Sequence, residues 1–333
     1  MPTHLPNLTR RSLLTLDDLT DTEMLELISL AAELKTAKKT GAVGSGLLRG
    51  RHLVALFEKP STRTRCATVV AAASEGASLE YLGKNDIHLG KKESVPDTAR
   101  VLGRMFDGIM FRGFAHRTIE LLAEFAGVPV WNGLTDDAHP TQALADLMTV
   151  QENFGRLSGL KLVYLGDGRN NVCNSLMLGC AKAGIHFVNC CPPALAPEKA
   201  WLERAGRAAR RTGASVAVEN EPAKAVRQAH VIYTDVWVSM GEEDKFAERL
   251  ELLRPYQVNS DLIEASGRLD DRQLIFLHCL PAFHNHQTEL TRKLGALEVT
   301  EDVFEAEYSK VFDQAENRMH TIKAIMVATL QAG

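Results

Sequence analysis

No apolar run in the 333-residue chain is long enough to span a bilayer, so a membrane protein built on helical spans is not expected. The opening stretch, MPTHLPNLTRRSLL, carries two arginines but not the apolar core that a signal peptide needs. Cysteine is sparse. Cys66, Cys173, Cys180, Cys190, Cys191 and Cys279 show no paired CxxC spacing and sit mostly in apolar runs, which leaves a zinc site or a disulfide framework without support. Buried thiols in a reducing cytoplasm are the expectation. An excess of one charge is missing too. The formal net charge of -4 gives no global field toward nucleic acid, so any anion site must be a local cluster. Repeats and low-complexity segments are absent. What remains, 45% hydrophobic and 24% charged residues, is the balance of an ordinary globular protein. The length is large for one core, and two domains are expected.

Thr20-Asp21-Thr22-Glu23 matches a capping box, and Leu25, Ile28, Ala31 and Leu34 give the helix after it an apolar stripe. Strand and helix signals then alternate: LVALF, a helix from Thr64, LEYLG, the DTARVLGRM helix, GIMF, the TIELLAEFA helix and PVWNG. That rhythm predicts βαβ units and a parallel sheet covered by helices. A helix over Ala143 to Phe154, stopped by Gly155, follows HPTQ. The rhythm restarts at KLVYLG and continues through HFVNCC, SVAVE, VIYTD and LIFLHCL. The final AENRMHTIKAIMVATL predicts an amphipathic helix with Met319, Ile322, Met326 and Leu330 on one face. The fold class is α/β, in two domains joined near residues 140 to 155.

Ligands of open α/β sheets gather beyond the carboxyl ends of the strands. Several unusual segments follow strand-like runs: STRTR, FRGFAH, HPTQ, GDGRNN, DVWVSMGEE and HCLP. In EKPSTRTR, three hydroxyls and two guanidiniums crowd into the last five residues, where a strand gives way to a helix. Free N–H groups and the helix dipole already favour an anion there. Arg63 and Arg65 add forked charges suited to phosphate oxygens, and the plainer alternative is a cap by Ser61 or Thr62 with both arginines in solvent.

GDGRNN suggests a dinucleotide fingerprint at first, with Gly166 and Gly168 in place. Asn171 occupies the third glycine position, and the next strand ends in NCCPP without an acid for a ribose, which disfavours a nicotinamide enzyme. Asn170 and Asn171 offer amide donors to a small carboxylate, or simple capping. Asp235, at the end of an apolar strand, calls for a cation such as a substrate ammonium, or else caps the next turn. His139 can donate to a carbonyl oxygen as negative charge grows on it. Arg112 is a second strand-end cation. Cys279 reads as a buried thiol, because His278 is expected on the opposite face of its strand and no base partners it. His284 and His286 lack a full metal-ligand set.

Taken together, STRTR, HPTQ, DVWVSMGE and HCLP resemble the aspartate/ornithine carbamoyltransferase family in order and spacing. The similarity runs from LTLDDLT near the start to ENRMHTIKAIMVATL at the end. STRTR and HPTQ belong to the wider family, and DVWVSMGE and HCLP look like its ornithine branch. The resemblance implies a carbamoyl-phosphate domain over residues 1–150, an amine-substrate domain over 151–315, and a last helix, 316–333, returning to the first. It implies carbamoyl-phosphate contacts from Ser61, Thr62, Arg63, Thr64, Arg65, His88, Arg112, His139, Pro140, Thr141, Gln142, Cys279, Leu280 and Arg318. Asn171, Asp235, Ser239 and Met240 would hold ornithine, and Arg112, His139, Thr64 and Cys279 would act on the reacting groups. His88 stands where many relatives carry glutamine, in a loop that reaches a neighbouring subunit's site. A homotrimer, with further assembly of trimers left open, is therefore implied, together with a cis Leu280–Pro281 bond.

By this resemblance the δ-amine of ornithine attacks the carbamoyl carbon and phosphate leaves, giving citrulline, with no metal and no organic cofactor. Domain closure on the second substrate would exclude water. A transferase for putrescine is the runner-up, and a non-catalytic relative is a remote one. Asn171 and the SMG segment argue against putrescine, which has no α-carboxylate to bind.

Overall fold

In the computed structural model, the apolar runs become strands and the stretches between them helices; residues 6–41, 46–87, 89–90, 92–238, 245–270 and 273–331 are described. The chain divides into two compact units, Met1–Met148 with Glu316–Gly333, and Thr149–Ala315.

The first unit holds β1 (His52–Phe57), β2 (Ser78–Leu82), β3 (Gly108–Arg112) and β4 (Val130–Leu134), in the order β2-β1-β3-β4. All three pairings are parallel. Parallel neighbours need long crossovers, supplied here by α2 (Thr62–Ser74), α3 (Val95–Met105) and α4 (His116–Ala126), after α1 (Asp21–Lys39). Val54, Leu56, Ile109, Phe111 and Val130 meet Leu102 of α3 and Ile119 and Leu122 of α4 in one buried cluster. Each such side chain contributes roughly 1.5–3 kcal/mol when fully buried.

The second unit has β5 (Lys161–Leu165), β6 (His186–Cys190), β7 (Val216–Glu219), β8 (Val231–Thr234) and β9 (Ile275–His278), ordered β7-β6-β5-β8-β9 and parallel throughout. Its helices are α6 (Asn171–Lys182), α7 (Lys199–Thr212), α8 (Pro222–Ala225), α9 (Phe246–Leu253), α10 (Ser260–Glu264), α11 (Thr291–Leu294) and α12 (Glu301–Phe304). Two helices, α5 (Pro140–Phe154) and α13 (Val311–Leu330), carry the chain from one unit to the other.

Three local expectations change. The α5 helix begins at Pro140 rather than Ala143, because the first helical position needs no N–H and proline fits it. In α1 the capping box forms, with Thr20 Oγ1 accepting from Glu23 N–H and Glu23 accepting from Thr20 N–H. Leu25 nonetheless stays exposed while Met24, Leu27 and Leu30 join Ile28, Ala31 and Leu34 inside.

The third change concerns α13, which is buried on every side from Asn317 to Leu330 rather than amphipathic. Several of its polar groups are met by partners instead of water. Asn317 Oδ1 accepts from Lys35 Nζ at 2.7 Å, and Thr329 Oγ1 accepts from the Trp131 indole at 3.1 Å. His320 lies 3.3 Å from Glu316, among the charges of Lys35 and Lys323. Burial is the main force that pushes its imidazole down to about 4. An unfolded histidine keeps a value near 6.5, so between these limits the unfolded chain binds the extra proton. Stability supplied by neutral His320 is then full above about pH 6.5 and lost as pH falls toward 4. His320→Gln is expected to flatten the thermal midpoint between pH 6.5 and 4.5, read by circular dichroism. An unchanged slope would assign the acid loss to other groups.

Candidate active site

In both units the strand order reverses at one point, between β1 and β3 and between β5 and β8. Ligands of open α/β sheets sit beyond the carboxyl ends of strands at such points. STRTR and Arg112 follow β1 and end β3, while GDGRNN and Asp235 follow β5 and β8.

In the first unit, Phe57 of β1 lies in register with Arg112, and the Glu58 N–H donates to the Arg112 carbonyl at 2.8 Å. The loop after β1 is further fixed by Lys59, whose buried ammonium pairs with Asp136 at 2.7 Å and covers the Phe114 ring. Ser61 caps α2, its Oγ accepting the Thr64 N–H at 3.1 Å. The capping alternative therefore holds for Ser61, but its companion, two arginines in solvent, does not: Arg63 is half-buried. Thr62 is exposed, and the Arg65 guanidinium lies over the Tyr81 ring, 3.8 Å from its centroid, rather than in the cluster.

Around the buried Thr64 the donors converge. Its Oγ1 accepts from Arg318 Nη2 at 2.9 Å and from Arg112 Nη1 at 3.4 Å. Arg318 Nη1 also donates to Gln142 Oε1 at 2.7 Å, and Gln142 Nε2 donates to Asp146 at 2.7 Å. Pro140 and Thr141 are buried at the start of α5, with Thr141 Oγ1 3.4 Å from His139 Nδ1. Burial, then the charges of Arg318, Arg112 and Arg63, hold the His139 imidazole well below the usual histidine range. The result is a neutral hydrogen-bond donor among three permanent cations. Such a set is suited to a polyanion and can stabilise an oxyanion without giving up a proton.

In the second unit, Asn170 takes the cap of α6, its Oδ1 accepting the Val172 N–H at 2.7 Å, and Asn171 is the first helical residue. The space around Gly168 gives the dinucleotide alternative no support. A Cβ on Gly168 would stand 2.7 Å from the Leu195 carbonyl and 2.8 Å from Asn189 Oδ1 and Cys191 Sγ. This glycine serves the chain's own close approach. Asp235 is buried, and its Oδ1 accepts from Val236 N–H at 2.8 Å and from the Cys279 thiol at 2.9 Å.

His278 departs from expectation. β9 ends there, and Leu280 turns the chain with a φ of 58°. Strand alternation stops, and polar atoms of Asp235, His278 and Cys279 come within 4.8 Å of one another. His278 is still no base for the thiol. Its Nδ1 accepts the Leu280 N–H at 2.8 Å, and its Nε2 faces the buried Glu298 at 3.3 Å. The Leu280–Pro281 bond is cis.

His88, Ser239 and Met240 lie outside the described residues. His284 stacks on Phe304 with centroids 3.7 Å apart. Of the six free cysteines, Cys173, Cys180, Cys190 and Cys191 are buried as expected, whereas Cys66 is exposed and Cys279 half-buried. Burial raises the Cys191 thiol to about 12. Sequence reasoning missed Asp146, Glu298 and the pair of Asp167 with buried Arg249, 2.9 Å apart. Asp146 had a signal: a carboxylate inside the otherwise apolar run ALADLM, four residues after Gln142.

Known proteins carry the same pattern. The carbamoyl-P binding domain of aspartate/ornithine carbamoyltransferases matches residues 11–152, and the Asp/Orn binding domain matches residues 158–329. A catabolic ornithine carbamoyltransferase of Bacillus cereus is 56% identical over 98% of this chain and 97% of its own. An ornithine carbamoyltransferase of Streptococcus pneumoniae is 57% identical over 96% of this chain and 95% of its own. The solved ornithine carbamoyltransferase of Pyrococcus furiosus superposes with a TM-score of 0.90 at 42% identity, covering 97% of this chain and 98% of that one. With a matched domain on either side of residue 155 and near-complete coverage by such relatives, the chain belongs to the aspartate/ornithine carbamoyltransferase family.

Proposed function

We propose that the chain transfers the carbamoyl group of carbamoyl phosphate to the δ-amine of L-ornithine, giving L-citrulline and phosphate, and that the same groups serve the reverse direction. The observation that carries this reading is the neutral His139 beside Thr64, Arg112 and Arg318. Phosphate needs the cations, while a carbamoyl oxygen needs a donor that stays put as charge grows on it.

The amine nitrogen attacks the carbamoyl carbon, and the carbonyl π pair moves onto oxygen, where Arg112, His139 and the Thr64 hydroxyl receive it. Collapse re-forms the carbonyl and breaks the carbon–oxygen bond to phosphate. A phosphate oxygen takes the amine proton, so atoms and charge balance. Arg63 and the start of α2 hold the leaving dianion, with Ser61, Thr62, Arg65 and Gln142 in supporting contact. Asp235 takes the α-ammonium of ornithine, Asn171 and the Met240 backbone its carboxylate, and Ser239 assists. A free alkyl ammonium has a pKa of about 10.4, so the reacting amine must arrive neutral. Cys279 and Leu280 stand by that amine. The proton transfer falls to the substrate's own phosphate and the remaining roles to groups of the protein, and ornithine is favoured over putrescine by the carboxylate contacts.

The test is citrulline formation from carbamoyl phosphate and ornithine, with putrescine and aspartate in parallel. Activity with ornithine alone fits. Activity only with another amine overturns the roles of Asp235 and Asn171, and none with any amine overturns the function.

We also read the working form as a homotrimer in the cytoplasm. On α2, next to the phosphate loop, Val69 and Val70 are 38% and 41% exposed beside exposed Cys66 and Ala73. An apolar helix face of this kind is a surface for another chain, and His88 of a neighbour would complete each site. All six cysteines are free, as a reducing compartment requires. Light scattering on the purified protein tests the trimer; a monomer with full activity would sink it.

Arg249 adds a consequence for ornithine. It lies on α9, just after the SMG segment, and holds Asp167, whose Oδ1 also accepts the Arg169 N–H at 3.0 Å in the loop leading to Asn171. Arg249→Met is expected to raise KM for ornithine about tenfold, ~1.4 kcal/mol, and to leave KM for carbamoyl phosphate nearly unchanged. Steady-state kinetics with each substrate varied in turn reads this.

A further inference from the structure

The first unit contains a charge pair that the proposed chemistry does not use. Lys323 of α13 and Glu75, the residue that caps the C-terminus of α2, lie 3.2 Å apart with side chains 3% and 2% exposed. Burying two charges is costly, and a pair of apolar side chains of similar size is commonly as stable or more so. Stability alone therefore gives no reason for this pair.

Its position gives one. The α13 helix reaches α2 through two long side chains. Arg318 meets Thr64 in the first turn of α2, and Lys323 meets Glu75 at the other end. Glu75 is itself fixed to the chain before β1: its carbonyl accepts the Leu48 N–H at 3.0 Å, and its carboxylate accepts the Leu47 N–H at 3.4 Å. Contacts at both ends of α2 set how far α13 slides along it and how far it rotates. A single contact would set neither. An apolar pair tolerates sliding, whereas an ion pair between two buried groups does not.

We propose that Lys323 and Glu75 are positioning residues for carbamoyl phosphate: their ion pair fixes α13 so that the Arg318 guanidinium meets Thr64 at the phosphate loop. This rests on the function proposed above. It places the determinant of a substrate contact at the far end of the helix that begins with the phosphate loop.

The test compares three forms of the full chain: wild type, the apolar double variant E75L/K323M and the reversed pair E75K/K323E. Thermal midpoint, KM for each substrate and the affinity for inorganic phosphate by calorimetry are measured on each. The apolar variant is expected to keep or exceed the wild-type midpoint, yet to show KM for carbamoyl phosphate and Kd for phosphate raised about tenfold. KM for ornithine should stay within twofold. The reversed pair should bring phosphate affinity back to within about threefold of wild type. An apolar variant with wild-type phosphate affinity would overturn the inference. Should that variant not fold, Lys323→Gln takes its place, and wild-type phosphate affinity there is equally decisive. Phosphate binding is read without turnover, so an inactive wild type would overturn the proposed function and still leave this comparison readable.

Discussion

Arg63→Ala is expected to lower kcat by about two to three orders of magnitude, the range seen when one preorganised donor to a developing anion is lost, while the thermal midpoint hardly moves. Among the arginines near His139, Arg63 gives the cleanest reading. Arg112 and Arg318 are buried and tied to Thr64, and Arg318 also to Gln142. Removing either leaves polar partners unmet in the interior, so a lost rate would mix chemistry with local unfolding. Arg63 is half-buried on the first turn of α2, and truncating it opens the site to water without breaking the core. Its loss should also raise KM for carbamoyl phosphate, because a charge-assisted contact to phosphate is present before and after the transition state. KM for ornithine should move little. Initial rates over a matrix of both substrates, beside a melting curve, check all three statements. Near-normal turnover in a folded variant would remove the phosphate loop from the mechanism.

Asp235→Asn should strike the other substrate. Asparagine keeps an oxygen for the Val236 N–H, now 2.8 Å from Asp235 Oδ1, so the turn after β8 survives. What disappears is the only full charge proposed for the α-ammonium. Truncating one partner of a desolvated charge pair costs about 2–5 kcal/mol, or roughly thirty-fold to a few thousand-fold in kcat/KM for ornithine. Binding of carbamoyl phosphate should be preserved. A second effect belongs to Cys279, whose thiol donates to Asp235 Oδ1 at 2.9 Å. With an amide in its place the thiol loses an anionic acceptor, and alkylation of Cys279 should respond to ornithine differently from wild type. Equal loss for both substrates would instead assign Asp235 to the architecture.

These roles could be proposed from sequence because the candidate residues cluster in short motifs at strand ends. LVALF, GIMF and VIYTD are apolar enough to be read as buried strands, and whatever polar group follows them must lie at the carboxyl edge of a sheet. The reversal points between β1 and β3 and between β5 and β8 were not legible. They depend on which strands pair, and pairing is a long-range choice that no local run encodes. The same limit hid the partners of motif residues. Nothing in HCLP points to Glu298, and nothing in GDGRNN points to Arg249, since each contact joins segments distant in sequence. Arg65 shows how a motif conceals direction. Two residues along a helix is about half a turn, and that rotation lays the Arg65 guanidinium over the Tyr81 ring, a contact that the motif alone does not announce. On α13 the apolar stripe was real, yet Asn317, Arg318 and Lys323 are buried as well. A helix whose polar residues find partners inside looks amphipathic in sequence whether or not water touches it.

The composition of the first unit, an early stretch and a late one, bears on synthesis. Met1–Met148 leaves the ribosome long before Glu316–Gly333, with the whole of the second unit translated in between. At roughly 5–20 residues per second, the gap is on the order of ten seconds or more. Throughout that interval the nascent sheet has Thr64, Arg112 and His139 in its sequence but neither Arg318 nor the helix that buries Lys35 and Trp131. The cluster around Thr64 thus becomes complete only when α13 has emerged, so its assembly waits on the translation of a segment far along the chain.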